Sequence, residues 1–443
     1  MKLLRYILVI LFSIIFIAVI DQYCFCPVYT FAGTTSFEGD SIYNPYAASV
    51  TGGWIKCNFH SHVRCWKGLT SGKGTAGDLH SAYNKLHYAI HAVSDYQYID
   101  TTASSSPGYI SSYEHGYNIL KSHQLVLGAD AVCWKDYFLP QTLSDKQDVL
   151  DHITATTPGA LLIINHPLER HGYRAADFKY LTHYSCMEVL NPTCNSSLFW
   201  DAALSAGKPI FIIGSDDCHN VTDTNKVGKI CTWINVPEIN KYNILQAIKT
   251  GNSYAMTIGK DLMKSERKGN TDSMPVLKSF IVITDAIHVK FSLPAKSIIV
   301  SGENGRLLYK ICDKDSVSYK LSKQEPYARV TAVYNSGTQL LLNPVFRYKT
   351  SPLRQSTASI NYMQTSLRRT AGVIAVLIWF GLLFKLPLPQ KAQRKLLPDM
   401  STTGYGYISN IHSKIIKIRH RGIIWHMRGF FYNMDAERKT KIK

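Results

Sequence analysis

From Trp54 to about Thr257, short apolar runs alternate with stretches of helical periodicity. The runs are Trp54–Phe59, Ala92–Val93, Gln124–Leu127, Leu161–Ile164, Met187–Leu190 and Pro209–Ile213. Between them the spacing predicts amphipathic helices over Ala76–His91, Asp145–Thr156 and Leu198–Ala206, the last closed by Gly207. Asn240–Thr250 closes at Gly251 in the same way. Strand–helix alternation over residues 54–257 predicts an α/β domain with mostly parallel strands. Beyond it the pattern changes. Ser279–Thr284, Ile287–Phe291, Ser297–Val300, Leu307–Ile311 and Ala328–Tyr334 are short alternating runs broken by Gly302, Gly305 and Gly337, with no helix between them. They predict a small β-sandwich over residues 275–348.

Two largely apolar segments, the first interrupted by Arg5, frame these regions. Leu3–Ile20 is long enough to cross a bilayer, and residues 1–22 form either a signal anchor or a cleaved signal peptide. Asp21-Gln22-Tyr23-Cys24 is a poor cleavage site, which favours the anchor. Residues 23–53, rich in Tyr, Ser, Thr and Gly, have the composition of a linker. The second segment, residues 370–388, holds an uninterrupted apolar run from Ala371 to Phe384; it is a transmembrane helix or, given its shortness, a buried or interfacial one. The basic tail at 389–443 favours a crossing, whereas Arg368 and Arg369 argue against it.

Charge alters this picture little. The formal net charge is +18, but the stretch from Lys385 onward carries 13 Lys/Arg against 3 acids, so much of the excess lies in the tail. No nucleic-acid motif accompanies it, and no specific nucleic-acid partner is expected. The ten cysteines include no Cys-x-x-Cys, which disfavours structural zinc; Cys24/Cys26 and Cys57/Cys65 are candidate pairs in an exported chain.

Chemistry-bearing residues stand directly after each apolar run. Trp54–Phe59 ends in His60-Ser61-His62, Ala92–Val93 in Ser94-Asp95-Tyr96, and Gln124–Leu127 in Gly128-Ala129-Asp130. Leu161–Ile164 ends in Asn165-His166-Pro167, Met187–Leu190 in Asn191, and Pro209–Ile213 in Gly214-Ser215-Asp216-Asp217-Cys218-His219. In parallel α/β folds the C-terminal strand ends converge on one face, where active sites form. Imidazoles and carboxylates gathered there suit Zn, Mn or Fe. Other histidines receive structural readings: His80, His87 and His91 as one helix face, and Glu114-His115 as the start of a helix-like stretch.

The order His-x-His, Ser-Asp-Tyr, Gly-x-acid, Asn-His-Pro, Glu188-Val-Leu-Asn191 and Gly-Ser-Asp-Asp-x-His resembles a PHP (polymerase and histidinol phosphatase) domain over residues 54–257. The resemblance implies a distorted, TIM-like (β/α)7 barrel that hydrolyses phosphate esters with a metal cluster. It implies His60, His62 and Asp217 at one metal, Asp130 as the bridging and catalytic acid, His166 at a second metal, and His219 as the last ligand. Tyr96 stands where the family has a His, and Val63–Gly68 lacks a further ligand, so one or two divalent ions are expected rather than three. The His expected after the bridging acid is also missing, with Asp136 as its stand-in. Asp95 would orient a ligand imidazole, and Arg64, Lys67 and Arg170 would face a phosphate. The expected protein is a membrane-anchored hydrolase whose main domain lies outside the cytoplasm. Its substrate would be a phosphorylated small molecule or polymer. The alternative is a degenerate PHP scaffold that binds a ligand or partner without catalysis.

Overall fold

The computed structural model describes residues 2–32, 35–270, 274–349 and 357–384. Helix α1 (Lys2–Ile20) leads to two short strands, β1 (Tyr29–Phe31) and β2 (Ser41–Tyr43). Next come β3 (Trp54–Asn58), α2 (Ala76–Asn84), β4 (Ile90–His91), β5 (Ser112–His115) and β6 (Gln124–Leu127). Helix α3 (Leu143–Thr156) precedes β7 (Leu161–Ile164), β8 (Cys186–Asn191) and β9 (Cys194–Asn195). They are followed by α4 (Ser197–Ser205), β10 (Phe211–Gly214), β11 (Ile230–Asn235), α5 (Lys241–Thr250), β12 (Ser253–Thr257) and α6 (Lys260–Arg267). The remaining strands are β13 (Leu277–Ile283), β14 (Ala286–Ser301), β15 (Leu307–Lys320), β16 (Tyr327–Val333), β17 (Gln339–Leu342), β18 (Val345–Tyr348) and β19 (Ala358–Ile360). Helix α7 (Tyr362–Phe384) comes after them.

Local chemistry accounts for the helix boundaries. Thr75 with Asp78 and Thr142 with Asp145 form capping boxes that satisfy the first N–H groups of α2 and α3. Asn240 caps α5, and Gly251 ends it with a left-handed φ of 77°. Helix α2 stops at Asn84, short of the expected His91. There the Tyr83 carbonyl accepts the N–H groups of both Leu86 and Tyr88, and His87 turns left-handed. His80 and His91 therefore do not share a helix face.

The strands form a mixed α/β architecture of several sheets, none closed as a barrel. A six-stranded sheet has the order β10-β8-β7-β6-β5, with β9 beside β8. Strand β8 is parallel to β10 and β7, whereas β6 is antiparallel to both β5 and β7. An eleven-stranded sheet runs β13-β14-β16-β17-β12-β11-β3-β4, with β15, β18 and β2 attached. The two sheets meet through isolated bridges, Tyr96 with Glu114 and Ser61 with Cys218. The expected (β/α)7 barrel is not formed because antiparallel pairs interrupt the parallel array and β4 is only two residues long. Nor do residues 275–348 stand apart as a sandwich. Strand β17 pairs with β12, Tyr254 opposite Leu342, so the meander extends the sheet that carries β3.

The stretch expected as a linker is packed. Cys26, Tyr29, Phe37 and Tyr46 are buried, and Phe37 stacks on Phe346 at 4.6 Å. Strand β1 pairs with β19, bringing the bases of α1 and α7 together. A Cβ on Gly372 of α7 would lie 2.7 Å from the Cys24 side chain, so only glycine permits that approach. Leu3–Phe25 and Tyr362–Leu383 are each long and apolar enough to cross a membrane. The tail at 389–443 lies outside the described residues. All ten cysteines are free thiols.

Candidate metal centre

Strand direction selects which side chains meet. The ends of β3, β5 and β7 point to one rim and carry His60-x-His62, Glu114 and His166. Because β6 runs the other way, Gln124 opposite Ile164 and Leu127 opposite Leu161, its beginning lies at this rim and its end at the far side. His123, directly before β6, thereby joins the group. Asp130, beyond its end, is on the opposite side.

Four ligand atoms form a compact set. His60 Nε2 lies 3.1 Å from His62 Nε2. Glu114 Oε2 is 3.3 and 3.1 Å from these two nitrogens, and Asp217 Oδ1 is 3.3 and 3.4 Å from them. Metal–N and metal–O bonds of about 2.0–2.2 Å put adjacent ligands of a tetrahedral ion roughly 3.3–3.5 Å apart. Glu114 Oε2 and Asp217 Oδ1 are buried yet form no hydrogen bond of acceptable geometry, despite their close nitrogens. Lone pairs that converge on a point, rather than N–H groups aimed at oxygens, produce this combination. The residues therefore fit a divalent ion.

Glu114 also presents its other oxygen to a second group. Oε1 lies 3.0 Å from His123 Nδ1 and 3.2 Å from His166 Nε2, and accepts a hydrogen bond from Asn165 Nδ2 at 3.0 Å. One carboxylate thus divides its oxygens between two imidazole pairs, the arrangement of a bridging ligand. His60, Glu114 and His166 form one triad with metal-ligand spacing; His60, His62 and Asp217 form another, and His166, Glu169 and Asp217 a third. His219 Nε2 is 3.2 Å from Asp217 Oδ1, and its ring stacks on His62 at 4.4 Å.

A surrounding shell fixes these rings. Glu188 Oε1 lies 3.1 Å from His60 Nδ1, while its Oε2 accepts the His166 backbone N–H and the Asn191 amide. A carboxylate on one imidazole nitrogen leaves the other free for a metal. Asp95 accepts the Val63 N–H and stands 3.8 Å from His62 Nδ1. Tyr96 stacks over His62 at 4.6 Å. His166 and Asp217 hold positive φ angles of 23° and 44°, which favour glycine, and such strain concentrates at functional sites.

The electrostatics are those of a charge-dense buried cluster. Burial opposes charge on His60, but Asp217, Glu114 and Glu188 outweigh it and hold its pKa well above the ordinary value. Burial likewise opposes ionisation of Glu114 and Asp217; the facing histidines, His60 foremost, hold both well below the usual carboxylate range. Burial raises Asp95 to about 6, against the pull of His62.

Of the residues singled out from sequence, His60, His62, His166, Asp217 and His219 come together here. Asp130 does not: its side chain is 82% exposed, 3.8 Å from Lys241. Glu114 stands at the rim instead, its two oxygens facing the two imidazole pairs. Its strand β5 comes after the residue 96–111 segment, which has no apolar run to announce a strand. His123 is the imidazole sought after Asp130, and it comes nine residues after Glu114. Asp136 is no stand-in; it accepts the N–H groups of Tyr117 and Tyr137. Arg64, Lys67 and Arg170 are exposed on the loops after His62 and His166.

No family model matches the sequence, and no curated protein matches it. One solved structure that overlaps the chain is a two-domain protein from Bacteroides vulgatus ATCC 8482 containing a predicted PHP-like metal-dependent phosphoesterase. The two are 11% identical, with a TM-score of 0.35 over 70% of this chain and 99% of the other. An overlap this loose does not establish a common fold.

Proposed function

We propose that this chain is a metal-dependent phosphoesterase of PHP type, tethered to a membrane with its metal centre outside the cytoplasm. The observation that carries the reading is Glu114 shared between two imidazole pairs, with Asp217 closing the first. His60, His62, Asp217 and Glu114 Oε2 would hold one ion; His123, His166 and Glu114 Oε1 would hold a second. When bound, Zn, Mn or Fe supplies a Lewis acid for a phosphoryl oxygen and lowers the pKa of water. The chain's own groups do the positioning. Glu188 holds His60 with Nε2 directed inward, and Asp95 does the same for His62 across a longer gap. Arg64 and Arg170 on the rim loops neutralise the incoming phosphate. The bilayer-length helices α1 and α7 support the tether, and the basic tail in the sequence supports the orientation.

The test is metal content of the purified full-length chain beside a His60→Ala/His62→Ala variant, then hydrolysis of p-nitrophenyl phosphate. The expected result is one to two equivalents of Mn, Fe or Zn, lost in the variant together with activity. Absence of metal after reconstitution would sink the hydrolase and leave a ligand-binding scaffold.

A further inference from the structure

Between the metal centre and the base of α1 runs a strip of exposed aromatic and aliphatic side chains. Trp66, Tyr98, Tyr117, Ile119, Trp134 and Phe138 are each 40–59% exposed. Exposed apolar side chains gathered along one path, rather than scattered singly, are the kind of surface that meets a partner or a membrane.

Ring contacts and hydrogen bonds link the segments that carry this strip. Tyr96 stacks over the ligand His62, and its carbonyl accepts the Trp66 indole N–H at 2.8 Å. Trp66 packs against Tyr98 at 6.0 Å and Trp134 at 5.9 Å. The Tyr117 hydroxyl donates to the Trp134 carbonyl, and the Ile119 N–H donates to the Phe138 carbonyl. The next residues, Leu139 and Pro140, accept hydrogen bonds from Gln22 and Tyr23 at the foot of α1. His115, next to Glu114, touches the same loop: its Nε2 lies 3.0 Å from the Lys135 carbonyl. The foot of a bilayer-spanning helix lies at the headgroup layer, where Trp and Tyr partition best. Lys121 and Lys135 lie along this path, and Arg64 and Lys67 flank Trp66, a pattern that suits anionic headgroups.

We propose that this strip rests in the headgroup layer, so that the metal centre opens onto the bilayer and its substrate is the phosphorylated headgroup of a membrane lipid. The proposal rests on the tethered phosphoesterase reading and supplies its substrate class. The membrane is favoured over a soluble ring-bearing ligand because the strip ends on the anchor itself.

The experiment uses the full-length, metal-loaded chain in phosphatidylcholine vesicles containing phosphatidic acid. Brominated phosphatidylcholine should quench a component of the tryptophan emission that Trp134→Phe removes. Trp134→Ser with Phe138→Ser should lower phosphate release from phosphatidic acid about ten-fold, the scale of losing aromatic burial, while p-nitrophenyl phosphate hydrolysis stays within about two-fold. Absence of a Trp134-dependent quenching component overturns the proposal. Hydrolysis of the soluble ester alone also overturns it and leaves the phosphoesterase reading standing. A metal-loaded chain that hydrolyses neither ester overturns both.

Discussion

The two ends of the six-stranded sheet contain similar residue types and behave as opposites. At one end Glu114 is fully buried among His60, His62, His123 and His166, and the protein tolerates this charge because the imidazole partners sit within 3.3 Å. At the other end Asp130 lies in water beside Lys241, and the buried Lys208 donates to the Leu181 carbonyl, its one hydrogen-bond partner among the described residues. Burial alone pushes Lys208 down to about 7. A buried charge is thus compensated at the rim and uncompensated at the far end. The difference favours the rim as the place for chemistry, since unpaired burial destabilises whereas ligand atoms that converge on one point can hold a cation.

The largest expected effect breaks this contrast directly. Glu114→Gln leaves one oxygen to serve two proposed ions and should cost more than the 10- to 100-fold typical of outer-sphere partners, in both metal retention and ester hydrolysis. Asp130→Asn should change either quantity less than about two-fold, and equal losses in the two variants would overturn the assignment. His123→Ala comes next: bound metal should fall from two equivalents toward one, measured by elemental analysis. Glu188→Gln keeps every ligand but loosens His60, so metal affinity should drop about 10- to 100-fold in competition with a chelating dye.

A pH series sharpens the comparison more gently. The raised pKa of His60 gives the metal-free fold stability that is complete below the unfolded value of about 6.5 and lost as pH rises through the folded one. The depressed pKa values of Glu114 and Asp217 give stability present above about 4 and lost as pH falls through the folded values. Metal replaces the imidazole protons, so the rise in melting temperature on adding metal should widen from about pH 6 to 9. A constant or shrinking difference would contradict the ligand set. The smallest effect belongs to Lys208. Its lowered folded pKa makes stability rise with pH between about 7 and 10.4, and Lys208→Met should flatten that rise in thermal melts.

Much of the rim was legible along the chain. His-x-His and Asn-His-Pro come directly after an apolar run and Asp-Cys-His three residues after one, and β3, β7 and β10 bring His60, His62, His166 and Asp217 to one place. Helix α5 was bounded by Asn240 and Gly251 because caps are local chemistry. The apolar lengths near Leu3–Ile20 and Ala371–Phe384 were legible for the same reason: spanning capacity depends on composition and length alone. Tertiary structure decided the rest. A strand's two-residue side-chain period is the same in either direction, so nothing within Gln124–Leu127 shows that it runs antiparallel to its neighbours. That orientation is set by pairing with residues as distant as Ile164, and it moves Asp130 away and brings His123 in. Pairing of β17 with β12 is equally non-local, and it joins the meander to the strand β3 sheet instead of leaving a separate sandwich. Sequence alone determined which residue types stood at strand ends; only the pairing of distant strands decided which ends met, because hydrogen-bond ladders are closed by partners the local pattern does not name.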